Sequence, residues 1–211
     1  MVYTTPVQIS SIQIIIRCQA LSIDDICYFT KYQSNEKDQI NEEETITRLN
    51  IGGNDIGPNG IQNLANALAK NTTLTTLDLQ DNHIGDEEMQ YLCDALRKTV
   101  VNFFFLLISS TYYLDNFHMQ TLTTLDLSSN LIGASGVQYL ADVLDNNSAL
   151  TILDIGSNYI GENGAEHLIH GLQMNKTLIT LNLQNNSINK NLIQHINELI
   201  DKNTVSNKEK T

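Results

Sequence analysis

The chain has few basic residues and no long apolar run. Of its 211 residues, 12 are lysine or arginine and 24 are aspartate or glutamate, which gives a net charge of −12. Nucleic-acid binding requires clustered lysine and arginine, so this balance argues against it and favours a protein partner with a basic surface. No stretch of 18 apolar residues occurs, so no contact with a membrane is expected.

Cysteines and catalytic motifs are also scarce. Cys18, Cys27 and Cys93 form no Cys-x-x-Cys pair, which favours free thiols in a reducing compartment. The first twenty residues lack the basic start and apolar core of a signal peptide, so a cytoplasmic location is expected. The sequence has no phosphate-binding loop, dinucleotide fingerprint, His-Glu-x-x-His sequence or nucleophile elbow. These absences predict a non-enzymatic protein without a cofactor, a metal site or catalytic residues.

A repeat dominates the sequence. Segments of the form Leu-x-(Leu/Ile)-x-x-Asn begin at Leu49 and Leu77, and again at Leu125, Leu153 and Leu181, at intervals of twenty-eight residues within each group. Leu77 and Leu125 are separated by twenty residues more than that interval. A fixed period of this length is typical of a solenoid, with an insertion between its second and third complete units.

Each unit predicts a strand, a turn and a helix. Alternating apolar residues, as at Leu77 and Leu79, indicate a short strand with one buried face. Downstream the apolar spacing becomes helical, as at Val137, Leu140 and Leu144. The asparagine that ends each strand motif can both donate and accept hydrogen bonds, so stacked units would form an asparagine ladder. Its members are Asn54, Asn82, Asn130, Asn158 and Asn186.

Such units cannot bury their apolar faces alone, so they must stack and share a core. Because helices are wider than the strand spacing of roughly 4.7–4.9 Å, the stack must bend. The predicted fold is therefore an α/β solenoid, curved and right-handed, with parallel strands on the concave face and helices on the convex face.

The motif from Leu74 to Gly85, completed by Leu92 and Leu96, resembles the long leucine-rich repeat of the ribonuclease-inhibitor subfamily. The sequence motif Asn-x-Ile-Gly resembles the repeat region of nucleotide-binding leucine-rich-repeat receptors. So does the segment from Asn175 to Leu178, which joins a predicted helix to the next strand. The resemblance covers residues 46–203 without the insertion. It implies a protein-binding scaffold, and the chain lacks the nucleotide-binding motif that those receptors carry elsewhere.

The domain boundaries follow from the register. Residues 1–45 are interpreted as a degenerate N-terminal cap, because a divergent copy of the repeat can be aligned over residues 18–45. Residues 46–205 form the predicted solenoid of five units, interrupted by an insertion near 100–120, and 206–211 form an expected disordered tail. Strands are predicted near 48–51, 76–79, 124–127, 152–155 and 180–183, and helices near 59–70, 87–98, 135–145, 163–173 and 190–202. Leu77, Leu125, Leu153 and Leu181 are predicted to be fully buried.

Two origins remain open for the insertion. It holds four of the five phenylalanines of the chain, and exposed aromatic clusters often mark interfaces. A segment that opens at Val100 and closes at Gln120 is also compatible with an intervening sequence retained in a gene model. Either origin predicts that residues 100–120 leave the repeat register.

The candidate site is the concave strand face. Outward-pointing strand positions form rows across the units, and an acidic column runs through the middle of the face. The predicted partner-binding residues are Arg48, Asn50, Thr76, Asp78, Gln80, Thr124, Asp126, Ile152, Asp154, Thr180 and Asn182. Aspartate and asparagine at this position can also simply serve local solubility, so the column allows a structural as well as a binding interpretation.

Two functions are compatible with these features. The first is a monomeric, non-catalytic scaffold or regulator that docks a protein on its concave face. The second is a GTPase-activating protein of the Ran type, because those proteins resemble the same repeat subfamily and act by positioning residues at the rim. The longer arcs and acidic tails of that second group are not matched here.

Overall fold

The computed structural model of the chain describes residues 12–15, 46–69, 71–97 and 121–208, with the backbone alone at 12–15, 46 and 206–208. Strands and helices alternate along these residues, as the repeat predicted. The strands are β1 (Ile12–Ile15), β2 (Ile46–Asn50), β3 (Thr76–Asp78), β4 (Thr124–Asp126), β5 (Ile152–Asp154) and β6 (Thr180–Asn182). The helices are α1 (Pro58–Leu68), α2 (Asp86–Arg97), α3 (Ala134–Leu144), α4 (Gly161–Leu172) and α5 (Lys190–Lys208).

All six strands form one parallel sheet in chain order. Leu49, Leu77, Leu125, Leu153 and Leu181 stand opposite one another in successive strands, so equivalent repeat positions share one register. β3 and β4 pair directly although the insertion separates them in sequence. The predicted α/β leucine-rich-repeat solenoid is therefore confirmed, and we number its units 1 to 5 from β2 to β6.

Local sequence explains where the helices begin. Pro58 occupies the first turn of α1, where its missing N–H group costs no hydrogen bond. Asp86, Glu87 and Glu88 open α2 and complement the positive end of its dipole. The Glu88 carboxylate also accepts the Gly85 N–H group at 2.9 Å, which satisfies a donor at this helix start.

The core lies between the sheet and the helices. Leu77, Leu125 and Leu153 are at most 2% exposed, as predicted, and pack with apolar residues from every described helix. Leu181 is only partly buried, so the prediction of full burial was wrong there. The reason is positional, because β6 is the last strand of the sheet and no further described unit covers its outer side.

Two features differ from the expected organisation, and two of the predicted segments are not tested by the structure. β1 lies before the position near Leu21 and Ile23 at which the twenty-eight-residue spacing would place a strand, and it was not predicted. Most of the proposed cap and the whole of segment 100–120 lie outside the described residues. Helix α5 ends at Lys208 instead of near 202, so it continues into the segment expected to be a disordered tail. No glycine or proline interrupts residues 190–208, which allows this extension.

Candidate functional site

The strand face is built from residues that alternate with the buried leucines. β3 shows the pattern plainly, since Leu77 is buried while Thr76 and Asp78 on either side are partly exposed. The parallel register then aligns equivalent side chains across the units. The first row consists of Arg48, Thr76, Thr124, Ile152 and Thr180, and the second of Asn50, Asp78, Asp126, Asp154 and Asn182. Gln80 lies exposed just beyond the end of β3.

The second row has a structural role that the sequence did not reveal. In each unit the side-chain oxygen of this residue accepts the backbone N–H group two residues later. For example, Asp126 Oδ1 accepts from Ser128 at 2.9 Å, and Asn182 Oδ1 accepts from Gln184 at 3.0 Å. Aspartate and asparagine make this turn-stabilising bond equally well. The bond therefore explains why one of these two residues is present, but not why three of the five are charged.

The remaining oxygens of the three aspartates are not equivalent. Asn50 donates its amide to Asp78 Oδ2 at 2.6 Å, and Asn182 donates to both Asp154 oxygens at 3.0 and 2.9 Å. Asp126 stands between the other two aspartates, and its hydrogen bonds from Ser128 both go to Oδ1. Within the described residues, Asp126 Oδ2 has no hydrogen-bond donor.

The column therefore carries negative charge that the described part of the chain does not neutralise. Its described ion pairs join His83 to Asp55, and Arg97 to Asp94 and Asp142, and none involves the column. Burial raises the pKa of Asp78 above its ordinary value, and the nearby Asp126 charge raises it further against the lowering effect of the Gln80 N–H bond. The Asp126 charge thus opposes the ionisation of Asp78 at the centre of the face.

The five repeat asparagines lie buried behind the face and hold adjacent units together. The Asn82 amide donates to Leu79 O of its own strand end and to Ile51 O of the preceding unit, at 3.1 and 2.9 Å. Its Oδ1 accepts the Asn54 and Ile56 N–H groups at 3.1 and 3.2 Å. Four of these side chains satisfy backbone groups of two units, which the turn out of the strand would otherwise leave unpaired: Asn82, Asn130, Asn158 and Asn186.

Sequence reasoning missed two further ladders. The Thr75, Thr123 and Thr151 hydroxyls each donate to the threonine carbonyl of the preceding unit, at 2.9–3.1 Å. At the helix-to-strand joints, Asn71, Asn147 and Asn175 accept backbone N–H groups two and three residues later. The recurrence of threonine and asparagine at these positions was the available signal. Both ladders brace the edge of the sheet at which the strands begin.

The histidine, cysteine and acidic side chains of the described residues form no metal-binding cluster. No three histidine, cysteine, aspartate or glutamate side chains converge in metal-binding geometry within the described ranges. The Cys93 thiol is fully buried in the core, and burial raises its pKa to about 12, so it is protonated and shielded at neutral pH. None of the helices that the structure describes is long and apolar enough to cross a bilayer.

The family model described as "Leucine Rich repeat" matches residues 44–65, 70–93, 118–141 and 146–168. The fold of the chain is an α/β leucine-rich-repeat solenoid. Its subfamily, and the expected likeness to nucleotide-binding receptors, are not distinguished by this match. No curated protein matches the sequence.

Solved structures that share the fold include domains of leiomodin-1 and tropomodulin. "Leiomodin-1 Actin-Binding Site 2 (ABS2)" superimposes with a TM-score of 0.67 at 19% identity, covering 90% of this chain and 94% of that one. The C-terminal domain of tropomodulin from Caenorhabditis elegans gives a TM-score of 0.64 at 11% identity, covering 90% of this chain and 98% of that one. At these identities the likeness shows the fold alone.

Proposed function

We propose that this leucine-rich-repeat solenoid is a non-catalytic protein-binding module that docks a basic protein surface on its strand face. The observation that carries the proposal is the position of Asp126. It lies between Asp78 and Asp154 with one carboxylate oxygen unpartnered among the described residues. A lysine or arginine of a partner would supply the missing donor and the missing positive charge.

Local stability gives no reason for this charge. Asn50 and Asn182 occupy the same column and make the same turn bond as the aspartates do. An asparagine at position 126 would keep that bond and remove the repulsion from both neighbours. Unfavourable charge at a position where a neutral residue would fit is typical of a functional site. The alternative of local solubility does not require three charges in adjacent strands.

Two finer assignments belong to the same proposal. The twenty-eight-residue interval supports the ribonuclease-inhibitor subfamily of the repeat. A monomer in the cytoplasm fits the excess negative charge, which disfavours self-association, and the expected free thiols. The leiomodin-1 and tropomodulin structures are not named as GTPase-activating proteins, and no described residue of the strand face favours that second function.

Replacing Asp126 with asparagine tests the proposal directly. We expect the variant to be more stable than the wild type, because repulsion between like charges on adjacent strands is removed, by about 0.2–1 kcal/mol. We expect partner binding to weaken at the same time. A general loss of folding would move both properties in the same direction, so the opposite signs separate a binding role from a structural one.

The measurement is affinity capture on the immobilised full chain, read by quantitative mass spectrometry. Asp145→Asn is the matched control, since Asp145 is an exposed acid at the end of α3. Proteins held by the wild type and the control but lost from Asp126→Asn would support the proposal. Purified actin is the first defined probe, because the leiomodin-1 structure is titled as an actin-binding site. If no retained protein depends on Asp126, the strand face is not the docking site.

A further inference from the structure

Exposed apolar side chains of the described chain are concentrated in its C-terminal half. Tyr159 is 71% exposed and Leu131 is 47% exposed, and both lie in the loops that lead from strands to helices. Ile152 is also exposed on the strand face itself. The equivalent loop positions of the other units hold polar residues, Asp55, His83 and Ser187. The apolar residues are thus a local feature of units 3 and 4 and not a requirement of the repeat.

The backbone conformation at Leu131 and Tyr159 differs from that at the equivalent positions of the other units. Asp55, His83 and Ser187 have φ values of 53°, 57° and 54°, in the left-handed region that bulky side chains rarely adopt. Leu131 and Tyr159 are not among the described residues with positive φ. Their N–H groups instead donate to Ile84 O and Ile132 O of the preceding unit, both at 2.9 Å. The Leu131 and Tyr159 loops are therefore adjacent and tied to their neighbours.

These side chains belong to the same two units as Asp126 and Asp154. Leu131 and Tyr159 each follow an aspartate of the column by five residues, and Ile152 precedes Asp154 by two. Residues two apart on a strand lie on one side, roughly 6.5–7 Å apart. Ile152 therefore lies on the same side of its strand as Asp154, and the chain leads from Asp126 and Asp154 into the loops that hold Leu131 and Tyr159.

We propose that Leu131, Ile152 and Tyr159 anchor an extended basic segment of a partner protein, in which apolar side chains flank a lysine or arginine. Charge complementarity selects this occupant. A second copy of this chain would bring another net charge of −12, whereas a basic segment would meet the carboxylate of Asp126, which no basic residue in the described ranges neutralises. An extended segment carries alternate side chains at the spacing of Ile152 and Asp154.

This inference rests on the proposed function and names the kind of segment that the strand face would take. It predicts a division of roles across the surface. The aspartates would attract and orient the partner, while the aromatic and aliphatic side chains would supply most of the affinity once water is excluded.

Selection of displayed random dodecapeptides on the full chain tests the inference. We expect enriched peptides to combine lysine or arginine with leucine, isoleucine or an aromatic residue. Fluorescence polarisation then measures the affinity of the best peptide for variants. The double change Leu131→Ser and Tyr159→Ser should weaken binding by about tenfold or more. It should leave the melting temperature unchanged, because both side chains are exposed and serine already occupies this row at Ser187.

Met174→Ser is the matched control. Met174 is 65% exposed but lies at the joint between α4 and β6, at the opposite edge of the sheet, and its change should leave affinity unaltered. Three results would overturn the inference: failure to select any peptide, peptides without the basic and apolar combination, or equal affinity for the double variant. Peptides that still depend on Asp126 but not on Leu131 and Tyr159 would reject the apolar anchors and leave the proposed function standing. Independence from all of these residues would reject both.

Discussion

At the scale of single residues, the column residue of each unit both stabilises a turn and sets the local charge of the strand face. Aspartate or asparagine at the end of each strand accepts a backbone N–H group, which stabilises the turn. The choice between the two residues then sets the charge of the surface without changing the turn. This separation allows Asp126 to be varied while the local hydrogen bond is kept.

The first prediction concerns the pH dependence of that variation. Burial and then the Asp126 charge raise the pKa of Asp78 in the folded state, so its ionisation opposes folding as pH rises through that pKa. The stability gained by Asp126→Asn should therefore be present at pH 7 and should vanish at low pH, where the Asp78 carboxyl is protonated and carries no charge to be repelled. Chemical denaturation at several pH values measures this. A gain that persists in acid would show that charge repulsion is not its cause.

The second prediction concerns the core. Leu125 is 2% exposed and lies in the middle strand of the complete units. Its replacement by alanine leaves a cavity that the neighbouring units cannot fill, and we expect a loss of about 2–5 kcal/mol in the free energy of unfolding. Equilibrium unfolding in urea measures the loss. The partly buried Leu181 is the matched control and should lose less when changed to alanine, and equal losses would contradict the positions assigned to them.

At the scale of elements, the joints between helices and strands decide whether the stack continues. The usual joint from α3 to β5 holds Asn147, which accepts the Ala149 and Leu150 N–H groups at 2.9 and 2.7 Å. The joint from α2 to β4 is instead interrupted by the insertion. Nevertheless β3 and β4 pair in the same register as the other strands, and the Thr121 hydroxyl donates to Leu74 O at 2.8 Å.

The third prediction follows from that pairing. Deleting residues 101–120 would leave Leu96 and Leu122 separated by the same number of residues as Leu144 and Leu150. We expect the melting temperature to stay constant or rise, because a shorter loop costs less entropy to close. A sharp fall measured by calorimetry would show that the aromatic segment contributes to the core. Sequencing the transcript between the codons of Lys98 and Thr121 would establish the origin of the segment independently.

At the scale of the whole molecule, the number of units limits the binding surface. Five strands at the usual spacing give a face roughly 20–25 Å long, which is small for a stable protein interface. The charge of this surface acts on a partner before contact, because the chain has a net charge of −12. The small strand face and the net negative charge of the chain together favour a moderate, salt-sensitive affinity.

The fourth prediction is therefore that partner binding is micromolar and weakens as salt is added. Exposed carboxylates act over a Debye length of only about 8–10 Å near physiological ionic strength. Binding kinetics measured between low and high salt should show that the loss of affinity comes mainly from a slower association rate. Binding that salt does not change would place the docking site on a surface without the aspartates.

The sequence by itself determined the architecture of the solenoid. The regular interval places Leu77, Leu125 and Leu153 in one register whatever lies between them, because only stacked units can bury their apolar faces. It also identified Asn82 and its equivalents, since a repeated amide at the end of a strand has few other uses. The strand and helix bounds followed closely, except where α5 continues to Lys208 without a breaking residue.

Only the tertiary structure decided the details of the candidate site. Asp78, Asp126 and Asp154 are equivalent in the repeat, but their different neighbours leave one oxygen of Asp126 without a donor in the described chain. Leu131 and Tyr159 occupy positions that hold polar residues in the other units, so the repeat pattern alone did not identify them as apolar surface residues. Their exposure depends on packing between units that are distant in sequence. Periodicity reports what every unit shares, whereas binding depends on how individual units differ once they are stacked.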